Sequence, residues 1–341
     1  MATLTDVDEL CDTIARARVV APVGGRTHWE VGGPPPSGDD VTFVRAPAGI
    51  VTYEPADLTV TVGAGTTCGE LAAVLGAAGQ ECALDPRDTD ATIGGLLATG
   101  LSGHRRLRHG PLRDRVLEVR FVTPDGRLVK GGGPTVKNVS GFDLPRLLVG
   151  SLGTIGVLVQ VTLRCQPVAE TRAWCTTGAD PFEVRRRMFR PSCLAWDGTS
   201  THVLLEGVPA DVAAERARSD APTSDAGPPA WPAGDHRGRI SVRPSALPAL
   251  ASRLDRAGVR WLAEVGVGTV HVAADDPAAL AAARAAAVEA GGWLLREAGA
   301  PGLDGFGGPL PNAKLVERVR AAFDPDAKLS PGRVPREASG G

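Results

Sequence analysis

Three glycine-rich segments concentrate the residues that could do chemistry. They are Pro22-Val23-Gly24-Gly25-Arg26-Thr27, the run Ala91-Thr92-Ile93-Gly94-Gly95-Leu96-Leu97-Ala98-Thr99-Gly100-Leu101-Ser102-Gly103 behind Asp85-Pro86, and Gly150-Ser151-Leu152-Gly153-Thr154-Ile155-Gly156. Lacking a Cβ, glycine lets backbone N–H groups converge on an anion and lets the main chain lie close to a flat ligand. A fourth segment, Gly63-Ala64-Gly65-Thr66-Thr67-Cys68-Gly69, imitates the dinucleotide fingerprint. Its last Gly comes one residue late and no βαβ unit precedes it, so it reads as a turn that starts a helix. The sequence holds no G-x-x-x-x-G-K-[ST] and no G-x-S-x-G, which leaves P-loop phosphoryl transfer and serine-nucleophile hydrolysis without a motif. Six Cys at 11, 68, 82, 165, 175 and 193 show no C-x-x-C spacing; reduced thiols are expected, not a metal knuckle or a disulfide framework.

Strands and helices must aim these loops. A helix capped by Thr5 is predicted from the spacing of Val7, Leu10, Cys11, Ile14 and Ala17, followed directly by a strand at Val19-Val20-Ala21. Strand-like runs follow at 41–45, 50–53 and 58–62, then a helix from about Thr67 to Ala78. Residues 116–123 and 127–130 flank Pro124-Asp125-Gly126 as a hairpin, and a strand at 155–163 closes this half. Beyond 171 the texture becomes richer in Ala and Arg. Strands are expected at 203–206, 240–242, 259–264, 268–273 and 293–296, with helices at 210–218, 245–257 and 277–290. That order suits an antiparallel sheet with helices on one face. Residues 219–236, mostly Pro, Gly, Ala and Asp, read as a mobile insertion that buries nothing, and a last helix spans Ala313 to Phe323.

Of 341 residues, 43% are hydrophobic, enough for two packed units, while 43 Gly and 28 Pro make the chain turn-rich. The 37 basic and 39 acidic residues leave a net charge of -2, which offers no field for nucleic acid. The segment Met1 to Glu9 is acidic where a signal peptide would be basic, and no apolar run reaches membrane-spanning length. A cytoplasmic protein with no integral membrane segment is expected.

Three stretches carry a resemblance: Tyr53-Glu-Pro-Ala-Asp-Leu-Thr-Val-Thr-Val-Gly-Ala-Gly-Thr66, Leu101-Ser-Gly-His-Arg-Arg-Leu-Arg-His-Gly-Pro-Leu-Arg-Asp114, and Val136-Lys-Asn-Val-Ser-Gly-Phe-Asp-Leu-Pro-Arg-Leu-Leu-Val-Gly-Ser-Leu-Gly-Thr-Ile-Gly156. With the glycine loops they resemble the vanillyl-alcohol oxidase and p-cresol methylhydroxylase superfamily, and within it the FAD-binding subunits of bacterial glycolate oxidases. The likeness is dense from about 20 to 165, thin from 171 to 305, and returns at Phe323-Asp-Pro-Asp-Ala-Lys-Leu-Ser-Pro-Gly-Arg333. It implies an α+β chain: a two-part FAD-binding domain over 1–168, a shortened antiparallel-sheet-plus-helices domain over 169–305, a segment 306–334 returning to the first domain, and a disordered tail 335–341.

It also implies a cofactor site. Gly24, Gly25, Arg26 and Thr27 match the phosphate-facing loop; Pro86, Thr92, Gly94, Gly95, Thr99 and Gly103 match the second loop; Lys137, Asn138, Gly141, Asp143 and Ile155 match the segment that lines the flavin. Lys137 is the candidate cation beside the flavin N1 and C2 carbonyl edge. Phe142 stands where the family usually has Tyr, and Ser330 where Asn is common. Relatives that tether FAD place a His directly after the Gly pair. Here Arg26 and Thr27 intervene before His28, so non-covalent FAD is expected.

Catalysis on a small 2-hydroxy acid needs a cation for the carboxylate and a base for the hydroxyl proton. Arg105, Arg106 and Arg108 could bind that carboxylate or face a partner subunit. Related D-2-hydroxy acid dehydrogenases carry an H-x-G-x-G-N-x-H segment that holds a metal and orients the base. Glu264-Val-Gly-Val-Gly-Thr-Val-His271 keeps its spacing but replaces the first His by Glu and the Asn by Thr. Glu264 and His271 remain candidates, and no resident metal is expected. The resemblance implies an FAD-dependent glycolate dehydrogenase subunit working with a homologous FAD subunit and an iron-sulfur subunit. Two other readings stay open: a relay or assembly subunit whose partner does the chemistry, and a stand-alone flavin oxidase of sugars or alcohols.

Overall fold

The computed structural model describes residues 6–133, 142–218, 227–308, 310 and 312–335. It divides into a first unit of residues 1–103, 111–168 and 309–341 and a second unit of residues 104–110 and 169–308. The fold is α+β with antiparallel sheets. Among the described residues no helix is long and apolar enough to cross a membrane.

The first unit is built on five antiparallel strands in the order Ile50–Glu54, Thr59–Gly63, Val157–Arg164, Val116–Val122, Leu128–Gly132. Alternation along Thr59–Gly63 and Val157–Arg164 sends Val60, Val62, Val161 and Leu163 into one core with Leu71 and Leu75 of the helix Cys68–Ala77. Thr67 starts that helix with a capping box: Glu70 N donates to Thr67 Oγ1 at 3.1 Å and Thr67 N to Glu70 Oε2 at 2.8 Å. A separate parallel pair, Val19–Pro22 with Val41–Val44, stands beside the sheet. The first helix, Val7–Arg16, is capped by Asp6, whose Oδ1 accepts from Asp8 N at 2.9 Å. The expected cap, Thr5, lies outside the described residues. From the far end of the sequence, Leu329 bridges to Val20, and Ser330 N donates to Val20 O at 2.8 Å.

The second unit is a seven-stranded antiparallel sheet in the order Thr171–Thr177, Thr201–Gly207, Cys193–Trp196, Arg260–Glu264, Thr269–Ala274, His236–Ser241, Trp293–Ala298. One face is apolar. Leu194, Val203, Leu205, Ile240, Val270 and Val272 meet Val184, Val212, Leu250 and Leu280 from the helices Pro181–Arg187, Pro209–Arg218, Leu247–Ala257 and Pro277–Glu289. The opposite face follows from period-two alternation. Trp174, Leu204, Cys193, Ala195 and Leu262 form a small separate cluster there, and Glu206, Glu264 and His271 share their face. Residues 219–226 of the expected insertion lie outside the described residues. The remainder corrects that expectation, since Pro229 is buried and Trp231 packs against this cluster.

Candidate functional site

The first unit holds a cavity where the loop after the strand Val19–Pro22 meets the small residues following Ala91 and the turn around Leu152. Val23 N donates to Val44 O at 2.8 Å and Trp29 N to Arg26 O at 3.2 Å, which pins both ends of the loop. Between them, among the described residues, the amides of Gly24, Gly25, Arg26 and Thr27 donate to no protein acceptor. Four consecutive amides left in this state can serve as an anion-binding concavity. The two glycines are fixed by crowding: a Cβ on Gly24 would sit 2.1 Å from Thr92 Oγ1, and one on Gly25 would sit 2.4 Å from Asp90 O. Arg26, Leu152 and Ser330 all line the cavity with left-handed φ of 60°, 53° and 43°, a strain typical of a ligand clamp in residues that are not glycine.

The run after Ala91 is not a loop, as the glycines suggested, but the short helix Ile93–Thr99 capped by Thr92. Its first amides are already spent. Ile93 N donates to Thr66 O and Gly94 N to Ala64 O, both at 2.8 Å, and Gly95 N to Thr92 Oγ1 at 3.2 Å. This helix therefore supplies a closely approachable wall, and the amides left open toward the cavity are those of residues 24–27. Gly94, Gly95, Ala98 and Thr99 form that wall. Gly65, of the turn before the helix Cys68–Ala77, also reaches the cavity.

Gly24, Gly25, Arg26, Thr27, Thr92, Gly94, Gly95 and Thr99 are thus brought together. Four other candidates are not among the lining residues. Pro86 follows the strained Asp85, whose carbonyl oxygen lies 2.1 Å from where a Cβ on Gly103 would stand. Asp143 caps the helix Leu144–Leu148, accepting from Arg146 N at 3.0 Å, and Ile155 is buried in the core of the first unit. Lys137, Asn138 and Gly141 lie outside the described residues. The sequence reading missed Trp29 and Arg333. The Trp29 ring lies between two guanidinium carbons, Arg26 at 5.4 Å and Arg333 at 5.6 Å from its centroid. Arg333 Nη1 also donates to Trp29 O at 2.6 Å and to Gly33 O at 3.2 Å. The Pro-Gly-Arg that follows Ser330 was the only sequence signal for it. His28 lines the same cavity with its Nδ1 2.9 Å from Thr27 Oγ1.

The catalytic candidates all belong to the second unit, on the sheet face away from the four helices. Arg105 is held by Glu206, with Nη1 3.2 Å from Oε1. Arg172 Nε stands 2.7 Å from the same oxygen and His109 Nε2 3.5 Å from the other, while Arg108 Nη1 donates to Glu206 O at 2.7 Å. Burial pushes the Glu206 carboxyl up, but the contact with His109 and the charges of Arg105 and Arg172 outweigh it and hold it well below the usual range. The basic cluster read from the sequence is therefore tied to a glutamate that the sequence did not single out. Glu264 and His271 do meet, Oε1 to Nε2 at 3.1 Å, with only 3% and 2% of each residue exposed. Trp231 stands edge-on to His271 at 4.7 Å and stacks on His104 at 3.8 Å. Among the described residues no three His, Cys, Asp or Glu side chains group as metal ligands.

Residues 1–132 match the family model described as an FAD binding domain. This part of the chain is an FAD-binding domain of the p-cresol methylhydroxylase type. Over 126 residues the chain is 42% identical to glycolate oxidase subunit GlcE of Escherichia coli (strain K12), covering 36% of each protein. Over 151 residues it is 34% identical to a mitochondrial D-lactate dehydrogenase [cytochrome] of Arabidopsis thaliana, covering 44% of this chain and 26% of that one. These matches span about a third or less of the relatives' length. A solved alkyldihydroxyacetonephosphate synthase shares the fold over 96% of this chain and 74% of its own, with a TM-score of 0.69 at 15% identity. The cavity fits FAD. Four unspent amides and the Arg26 guanidinium suit a diphosphate, and a wall of Gly94, Gly95 and Ala98 suits a flat ring.

Proposed function

We propose that this chain is an FAD-dependent oxidoreductase subunit that oxidises glycolate or a similar small 2-hydroxy acid to the 2-oxo acid and passes the electrons to an iron-sulfur partner. The observation that carries the reading is the run of unspent amides at residues 24–27 in a cavity walled by small residues. When bound, FAD supplies a two-electron acceptor. The chain's own residues would bind and orient it: the loop amides and Arg26 would hold the diphosphate, and Thr92, Leu152 and Val157, which line the same cavity, would help to exclude water from it. His28 comes two residues too late in the loop for the family's tether, so FAD stays dissociable.

The substrate class is supported by the relatives' names, glycolate oxidase subunit and D-lactate dehydrogenase. An outside electron acceptor, with a homologous FAD subunit beside it, is supported by the word subunit in the first of these and by the cysteines. Burial pushes Cys68 up to about 12 and Cys165 up to about 11, so these thiols stay protonated and are poor cluster ligands. None of the six cysteines is joined in a disulfide, which suits the cytoplasm.

A second reading, a relay subunit whose partner performs the substrate chemistry, is favoured by two particulars. Arg105 is engaged by Glu206, and the Glu264–His271 pair is sealed beneath Trp231. One experiment separates the two. The purified chain is loaded with FAD and mixed with glycolate under anaerobic conditions. Bleaching of the flavin spectrum is the expected result, and denaturation then releases all of the flavin. Retained FAD with no bleaching until a partner is supplied replaces the first reading with the second. A folded chain that takes up no FAD ends both.

A further inference from the structure

The helix Pro181–Arg187 turns Val184, Met188 and Phe182 toward the core of the second unit. Asp180 fixes its start, accepting from Phe182 N and Glu183 N at 2.9 Å each. What remains outward is Arg185, Arg186 and Arg187, then Phe189 and Arg190 just past the helix end, all exposed. Phe189 is 75% exposed, second only to Phe142 among the large apolar side chains described. Its position is built. Phe189 N donates to Glu215 Oε2 at 2.8 Å, so a side chain from the helix Pro209–Arg218 holds the backbone that presents the ring. Glu215 in turn pairs with Arg218 at 2.6 Å, and Glu183 pairs with Arg186. Arg185, Arg186, Arg187 and Arg190 lie within four residues of the exposed Phe189, against Asp180 and Glu183 in the same stretch, so this segment is locally basic in a chain whose overall charge is -2. Among the described residues Arg185 and Arg190 make no ion pair.

We propose that Phe189 and the arginines around it form a docking surface for an acidic protein partner that offers an apolar pocket to the ring. The charge selects the partner: a local excess of guanidinium groups steers an acidic surface in and repels a basic one. The ring supplies the anchor, since an exposed aromatic side chain flanked in sequence by arginines has the composition of an interface centre. A lipid surface is the poorer occupant. The other bulky apolar side chains of the helix are spent in the core, so one ring alone faces outward and a bilayer has little to bury.

The test uses the full chain and a defined probe, a fluorescent peptide of nine glutamates with one central leucine. Binding is expected at low salt, falling at least tenfold between 50 and 300 mM salt as the charges are screened, on the order of the loss such contacts show. Phe189→Ala and the double change Arg185→Glu with Arg190→Glu should each weaken it roughly tenfold, while the melting temperature stays at the wild-type value. Absence of binding, binding indifferent to these substitutions, or preference for phosphatidylglycerol vesicles over the peptide overturns the proposal. So does a dimer in sedimentation that Phe189→Ala dissolves, because the occupant is then a second copy of the chain.

Discussion

At residues 24–27 four amides and the Arg26 guanidinium line a cavity, and among the described residues no protein group accepts from those amides. On the helix-free face of the seven-stranded sheet, Arg105, Glu264 and His271 are each met by a partner within 3.2 Å. The first region is preorganised for something that is not protein, and the second is satisfied by protein alone. Unspent polar groups mark a binding site more sharply than the presence of reactive residue types does. An unpaired amide at a concave surface costs stability unless a ligand or water meets it, whereas a paired Glu–His or Glu–Arg cluster already stabilises its own fold.

The contrast breaks most forcefully at Glu206. Glu206→Ala leaves Arg105, Arg172 and His109 around an empty place, and we expect the second unit to lose about 3–5 kcal/mol in calorimetry, with FAD affinity unchanged. Its folded-state pKa lies below the unfolded value near 4.5. The stabilisation is therefore fully present above that pH and disappears as pH falls through the folded value. An acid titration of Glu206→Gln should lack this component of pH dependence, and a wild-type-like acid profile would show that Glu206 does not organise the cluster.

Gly25→Ala tests the other region. A Cβ 2.4 Å from Asp90 O forces the loop to shift, and FAD affinity should fall by roughly 30-fold, equivalent to about 2 kcal/mol, by fluorescence titration. The second unit's melting transition should not move; if both units melt earlier, the loop is structural and not a cofactor cradle. The smallest effect is expected at Arg333, which ties the C-terminal segment to the carbonyls of Trp29 and Gly33. Arg333→Ala should cost about 1.5 kcal/mol and speed FAD release several-fold, with Arg333→Lys recovering part of it. Release at the wild-type rate from the Ala variant would confine Arg333 to the architecture of the chain end.

Much of the scaffold was legible. The helix Ala313–Phe323 has the bounds its spacing predicted, and the helix Cys68–Ala77 begins after Thr67, because caps and 3.6-residue periodicity are local properties. The helix Ile93–Thr99 is not legible from local sequence, because two glycines argue against helix. Bonds to Thr66 O and Ala64 O from a neighbouring turn outweigh that preference. Glu206 was invisible for a different reason: nothing in Leu-Leu-Glu-Gly distinguishes it until the sheet carries it to residues about a hundred positions earlier. Trp231 was lost inside a Pro- and Gly-rich stretch, where composition argued for solvent and one ring found His104.

The sequence by itself determined several of the elements, the glycines of residues 24 and 25 and the kind of ligand they invite, because periodicity, bare amides and missing Cβ atoms are properties of adjacent residues; it did not show the strands Thr171–Thr177 and Cys193–Trp196 or the helix Pro181–Arg187. Only the tertiary structure decided which amides stay unspent, that Arg333 closes on Trp29, and that Arg105 is neutralised. Those outcomes depend on groups separated by about a hundred residues or more, and which of them meet is fixed by the folding of the chain.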